Sequence, residues 1–200
     1  MVGNTAGNRH DGWWFIVFVV LVLVSAATVS LPGSDRSPDT IRAFYAAHRT
    51  AITATQVAGL VATGVLLMVV RALLGWVGGG RPLVVTGALV ALANVGTVVP
   101  VLWLAYGTRG STTTALARWG DWTDDLLFIV IGLFAGVLST AAPGRALRIG
   151  CALVAVLCTV RGVGAVLGLT ALDVVAPLAF LVLMVWLGFA RLRSRPDTGT

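Results

Sequence analysis

Apolar residues run along this chain in long blocks rather than in strict alternation. Six blocks stand out: Trp13 to Leu31, Ala51 to Val70, Leu83 to Tyr106, Trp122 to Ala142, Ile149 to Leu169 and Val174 to Ala190. Each falls within the roughly 17–25 residues that a helix needs to cross a bilayer. Unpaired backbone groups are costly in hydrocarbon, so only helices and closed barrels span it, and these blocks are too continuous for barrel strands. The pattern predicts an all-α fold, a polytopic transmembrane bundle of six helices. One domain covers residues 1-200, with short polar tails at 1-12 and 191-200. The first block is preceded by little positive charge and followed by five more, so it reads as a first span rather than a signal sequence.

Composition agrees with the pattern. Hydrophobic residues make up 58%, charged residues only 11%, and the mean hydropathy is +0.94. A soluble chain of 200 residues has too little interior to hide that much apolar surface. The formal net charge of +6 raises the question of nucleic acid, but every basic residue is an arginine and they are spread over the ends of the apolar blocks. No basic face forms, which excludes nucleic-acid binding as a reading. Cys151 and Cys158 stand seven residues apart on one predicted helix, about 10 Å along its axis and beyond disulfide reach. They read as free thiols, without the further ligands of a zinc site.

Arginine placement orients the bundle. With the N-terminus in the cytoplasm, the inner segments hold Arg9, Arg71, Arg81, Arg145, Arg148, Arg191, Arg193 and Arg195 against Asp11 and Asp197. The outer segments hold Arg36, Arg42, Arg49, Arg109 and Arg118 against Asp35, Asp39, Asp121, Asp124, Asp125 and Asp173. Positive charge is retained inside, so an N-in/C-in topology follows. Trp13, Trp14, Trp76 and Trp186 then fall near the inner interface, and Trp103, Tyr106, Trp119 and Trp122 near the outer one.

The first outer connection carries a helix start of its own. Ser37 is an N-cap, Pro38 suits the first helical position and Asp39 complements the dipole. No Pro or Gly intervenes before Gly59, so this helix is expected to run straight into the second span as an extracytoplasmic amphipathic extension. Ile41, Tyr45, His48 and Ile52 share one stripe, which would roof the bundle.

Polar side chains within spans are costly in lipid and point to function or to helix contacts. Gln56, Thr97, Asp124, Asp125 and Arg161 fall in the outer half and Asn94 near the midplane; they are expected to converge on one vestibule beneath the extension. A guanidinium at Arg161 wants a carboxylate, from Asp124, Asp125 or Asp173. Such a pair is either a structural tether or an anchor for an anion. In Gly120-Asp121-Trp122-Thr123-Asp124-Asp125 three carboxylates crowd together. A protonated member can serve as general acid and a charged one as base, although Asp121 reads equally as a helix N-terminal cap. His48, with Tyr45 and Arg49, forms a second proton-exchanging group that reads equally as interfacial. Small surfaces at Gly132 and Gly136, and at Gly164 and Gly168, favour contact between the fourth and fifth spans. Pro100 and Pro177 are expected to kink their helices.

No Walker sequence, dinucleotide fingerprint or HExxH is present, and neither metal nor cofactor is expected. The segments Pro38-Asp39 through Tyr45-Ala46-Ala47-His48-Arg49, Gly120-Asp121-Trp122-Thr123-Asp124 and Ala171-Leu172-Asp173-Val174-Val175-Ala176-Pro177 resemble small multi-pass membrane proteins of actinobacteria. The resemblance implies a bacterial plasma-membrane location and a helix count, and no activity. The functional expectation from the residues is a small intramembrane enzyme acting on a lipophilic substrate, an acid/base cyclase or isomerase. Asp124, Asp125, Arg161 and His48 would be catalytic, and Tyr45, Arg49, Gln56, Asn94, Trp103, Trp119 and Trp122 would hold substrate. The alternative is a non-catalytic protein for lipophile binding, export or membrane assembly. Membrane lipid is the expected partner in either case.

Overall fold

In hydrocarbon a backbone can bond only to itself, and the long apolar blocks accordingly become helices. A computed structural model of the chain describes residues 9–26, 31–78, 80–107, 112–166 and 172–193. After a short 3-10 turn at Arg9–Gly12 come α1 (Trp13–Ala26), α2 (Pro38–Ala47), α3 (Arg49–Val77), α4 (Gly80–Tyr106), α5 (Thr112–Ala141), α6 (Arg145–Val166) and α7 (Val175–Arg193). Five of these, α3 to α7, are long and apolar enough to cross a membrane. The protein is therefore an all-α, multi-pass membrane protein in contact with lipid. The described part of α1 is as apolar but only 14 residues long, and residues 27–30 of the first block lie outside the described residues.

These five helices and α1 form a closed ring. α1 packs on α3, α3 on α4, α4 on α5, α5 on α6, α6 on α7, and α7 returns to α1. Connections between α3 and α4 and between α5 and α6 are only a few residues long, which makes those neighbours antiparallel. Gly78 ends α3 in the left-handed region, at φ 70°, with its N–H on the Leu74 carbonyl, a backbone that a side chain would strain. Inside the ring, Phe15, Leu66, Leu73, Phe134, Leu138 and Met184 pack into one core. Outside it, leucines, valines and tryptophans are exposed, as lipid-facing helices require.

Glycine sets the spacing of α5 and α6. A Cβ at Gly162 would stand 2.6 Å from the Asp125 carbonyl oxygen, and one at Gly132 would stand 2.9 Å from that of Ala155. The expected α5–α6 contact is present, and Gly132 belongs to it. On α6 Gly162 makes a close approach of this kind, and Gly168 lies outside the described residues.

Four expectations need correction. The extension does not run straight into the second span: the chain turns at His48, at φ −111° and ψ 16°, between α2 and α3. The turn lets α2 lie across the ends of α4 and α5 and bury Ile41 and Tyr45 with Val101, Leu104 and Leu116. His48 itself is exposed, stacked on Phe44 at 4.4 Å between centroids, with Nδ1 3.0 Å from the Phe44 carbonyl. The start of α2 is as read, for Ser37 Oγ accepts the Thr40 N–H at 3.2 Å, Pro38 follows, and Arg42 pairs with Asp39. Secondly, α5 begins at Thr112, ten residues before the apolar block, so Asp121 lies inside it and caps nothing. Thirdly, Pro177 stands in the first turn of α7, where its missing N–H removes no intrahelical bond, instead of kinking the helix. Lastly, Arg191 belongs to α7 and is buried, rather than to a polar tail.

Replacing Gly162 by Val forces α6 away from the α5 backbone. The expected loss is about 1–3 kcal/mol, the range for overpacking a close contact, read as a lower midpoint of thermal unfolding in nonionic detergent, whereas Gly64→Val, where a Cβ meets nothing within 4 Å, leaves the midpoint in place.

Candidate functional site: a carboxylate-walled cavity

Adjacent positions on a helix point about 100° apart, so two successive carboxylates can flank a guanidinium arriving from a neighbour. Asp124 and Asp125 on α5 do this for Arg161 on α6. The Arg161 Nη2 donates to Asp124 Oδ2 at 2.6 Å and Nη1 donates to Asp125 Oδ1 at 3.0 Å. A third carboxylate, Asp173 just before α7, brings Oδ1 to 3.3 Å from Nε as an ion pair out of line with the N–H. Phe128, one turn along α5, offers its ring face 4.1 Å from the guanidinium carbon, a cation–π contact. The three candidates for pairing with Arg161 are thus all used. The Arg161 side chain is only 11% exposed, and the cluster ties α5 and α6 to the start of α7.

Beside this cluster lies a cavity of about 910 Å³, in the size range of small-molecule sites. Its walls come from α1, α3, α4, α5 and the start of α7, and are largely apolar: Phe18, Leu66, Ile131 and Phe180 are typical. Asp124 and Asp173 form its acidic part, and Phe128 separates it from Arg161; Arg161 and Asp125 do not line it. Asn94 does, with Nδ2 donating to Thr63 Oγ1 at 2.6 Å and to the Gly59 carbonyl at 3.3 Å.

The expected single vestibule is two places. Asp124, Asp125, Arg161 and Asn94 gather at or behind the cavity. Tyr45, His48 and Arg49 belong instead to the junction of α2, α3 and α4. There Arg49 Nε donates to the Ala105 carbonyl at 2.9 Å and its guanidinium lies over the Tyr106 ring, so Arg49 serves the last turn of α4. Thr53 Oγ1 lies 2.8 Å from the Tyr106 hydroxyl. Gln56 is half-buried on α3 and does not line the cavity. Trp103, Trp119 and Trp122 are exposed on the outer surface of the ring, away from the cavity, where amphipathic rings anchor a membrane interface. Asp121 accepts the Ser34 N–H at 3.3 Å and pins the segment before α2.

Sequence reading missed the apolar walls from α1 and α7, the Thr63 partner of Asn94, and the Phe128 face. Phe128 had a signal, since it stands at i+3 and i+4 from the two aspartates and so shares their face. Asp173 was read only as an alternative partner and is also a wall residue. Among the described residues no group of three His, Cys, Asp or Glu is arranged to hold a metal ion. No protein-family model, curated protein or solved structure matches this chain.

Two outcomes follow from these contacts. Arg161→Met leaves three carboxylates facing one another in the membrane, and should cost about 3–5 kcal/mol in unfolding assays in mixed detergent micelles, the range for stripping one partner from a buried ion pair. Asp125→Asn keeps two carboxylates on Arg161 and should cost less. On α2, burial and the charge of Asp121 push the Tyr45 hydroxyl from 10.0 up to about 12. Its neutral form is favoured in the folded state, so the stability it contributes is intact below pH 10 and is lost as pH rises through about 12. Phenolate absorbance titration should show a late step that Tyr45→Phe abolishes.

Proposed function

We propose that this protein binds a lipophilic molecule within the membrane, its apolar body among α1, α3, α5 and α7 and its polar head against Asp124 and Asp173. The observation that carries the proposal is the cavity of about 910 Å³, largely apolar and with two carboxylates at its wall. Pockets of this kind, mostly apolar with a few placed polar groups, are where small molecules bind. The rim supports access from the bilayer: Leu23 of α1 and Val174 and Leu178 beside it are exposed.

In the same reading the ring makes six crossings with both termini inside, in a bacterial plasma membrane. The arginine distribution supports this orientation, and α1 supports the sixth crossing because it takes a place in the ring between α3 and α7. Its apolar composition suits that place.

A second reading is catalytic, an acid/base isomerase or cyclase with Asp124 as the proton-exchanging group. What favours it is that Asp124 reaches the cavity with 44% of its side chain accessible while Arg161 holds its carboxylate in a defined orientation. A carboxylate so placed meets the geometric demand on a general acid or base. His48, Tyr45 and the three tryptophans have no part in it.

Mass spectrometry of organic extracts from the purified protein tests both readings. Wild-type protein should carry a lipophile near equimolar amount, and Ile131→Trp, which narrows the cavity at its apolar wall, should lose it at least about tenfold. Equal recovery from the two proteins would sink the binding proposal. Under the catalytic reading Asp124→Asn retains lipophile in an unconverted, isomeric form; the same compound in both proteins excludes catalysis by Asp124.

A further inference from the structure

The hydrogen-bonding chemistry of the cavity wall is one-sided. Among the described lining residues, Ser25, Thr63 and Asn94 have neutral polar side chains. Ser25 Oγ donates to the Thr55 carbonyl at 3.1 Å and Thr63 Oγ1 to the Gly59 carbonyl at 3.0 Å. Asn94 has two amide hydrogens, and its Nδ2 has two acceptors, Thr63 Oγ1 and the Gly59 carbonyl. Every side-chain donor among the described lining residues is therefore already committed to the protein. At the start of α7 the Ala176 and Leu178 N–H groups bond the Leu172 and Val174 carbonyls, and Pro177 has none. What remains toward the cavity is acceptor capacity, the carboxylate oxygens of Asp124 and Asp173 that Arg161 does not engage.

Charge points the same way. The one guanidinium of the cluster stands behind Phe128 and does not line the cavity, while it faces three carboxylates. Asp121, one turn before Asp124 on α5, adds to the negative field at Asp124. With the carboxylates ionised the cluster holds two negative charges more than positive ones. Arg161 as an anion anchor, one of the sequence expectations, does not fit this geometry, because an anionic head would meet the carboxylates of Asp124 and Asp173 and find no free side-chain donor among the described lining residues.

We infer that the ligand of this cavity is a lipophilic amine, bound as its ammonium with N–H donors on Asp124 and Asp173 and its hydrocarbon among Phe18, Ile131 and Phe180. An ammonium brings the donors that the wall lacks and the positive charge that the cluster lacks. Neutral alcohols supply one donor and no charge; carboxylates and phosphates supply neither. This inference rests on the proposal that the cavity binds a lipophile.

The test is competition in purified full-length protein in nonionic maltoside micelles at pH 7.5. The reporter is the neutral fluorescent lipophile N-phenyl-1-naphthylamine, and the competitors are dodecylamine, dodecanol and dodecanoate, which share one tail. Ile131→Trp supplies the micelle baseline. The expected result is reporter binding to wild type but not to Ile131→Trp, with dodecylamine displacing it at about tenfold lower concentration, or less, than the other two. That ratio is the size of charge-assisted hydrogen bonds. Combined Asp124→Asn and Asp173→Asn should keep reporter binding and erase the preference, with Arg161 still paired to Asp125. Equal displacement by the three competitors, or preference for dodecanoate, overturns the amine assignment while leaving the cavity reading standing. Failure of the reporter and of all competitors to bind wild-type protein overturns both.

Discussion

A guanidinium placed inside a membrane helix, more than a turn from its end, has to be neutralised by the protein, because lipid offers nothing that will do so. Arg161 meets that requirement with three carboxylates and an aromatic face, drawn from α5 and from the start of α7. The consequence reaches beyond the ion pairs. Separating α5 from α6 leaves charge stranded in hydrocarbon, at a cost of several kcal/mol, so the charge fixes these two helices as neighbours and sets their register. The close approach at Gly162, where α6 meets the Asp125 backbone, lies one residue from the arginine. Close backbone packing and ion pairing therefore reinforce one another at the same depth.

Around that fixed point the rest of the ring is held by ordinary apolar contact. Lipid tails compete with leucine on equal terms, so shape and small residues set these contacts. Where shape is less well filled, between α1, α3 and α7, a cavity remains, and Asp124 and Asp173 bound it because they are the same residues that neutralise Arg161. The structural tether and the cavity wall share side chains. That sharing explains how carboxylates are kept oriented in a site that is otherwise greasy.

How much of this could be read from the residues follows a physical division. Helix formation in lipid is dictated by local apolar runs, and the limits of α4, α6 and α7 were visible in the sequence to within about a turn, whereas α3 runs two turns past its apolar block and α5 starts well before its own. Its first ten residues carry Thr, Arg and Trp rather than an apolar run, and become helical because Thr113, Leu116 and Ala117 are buried. The break at His48 was invisible for a related reason: no breaker residue marks it, and it exists because Tyr45 and Ile41 bury themselves against helices distant in sequence. The pairing of Arg161 was readable because buried charge has few partners to choose from. The separation of Tyr45 and Arg49 from the cavity was not, since depth along a span does not say which way round the ring a side chain turns.

The closure of the ring by its first and last helices sets an order of assembly. Helices leave the ribosome and reach the membrane in sequence, so α5 and α6 can pair through Asp124, Asp125 and Arg161 before α7 has been synthesised. The cavity at that stage has no back wall and lacks Asp173. Only when α7 inserts and docks on α1 does the ring close and the chamber come into being. The chamber is thus the last part of the ring to form, and products stalled before α7, even well inserted ones, do not contain it.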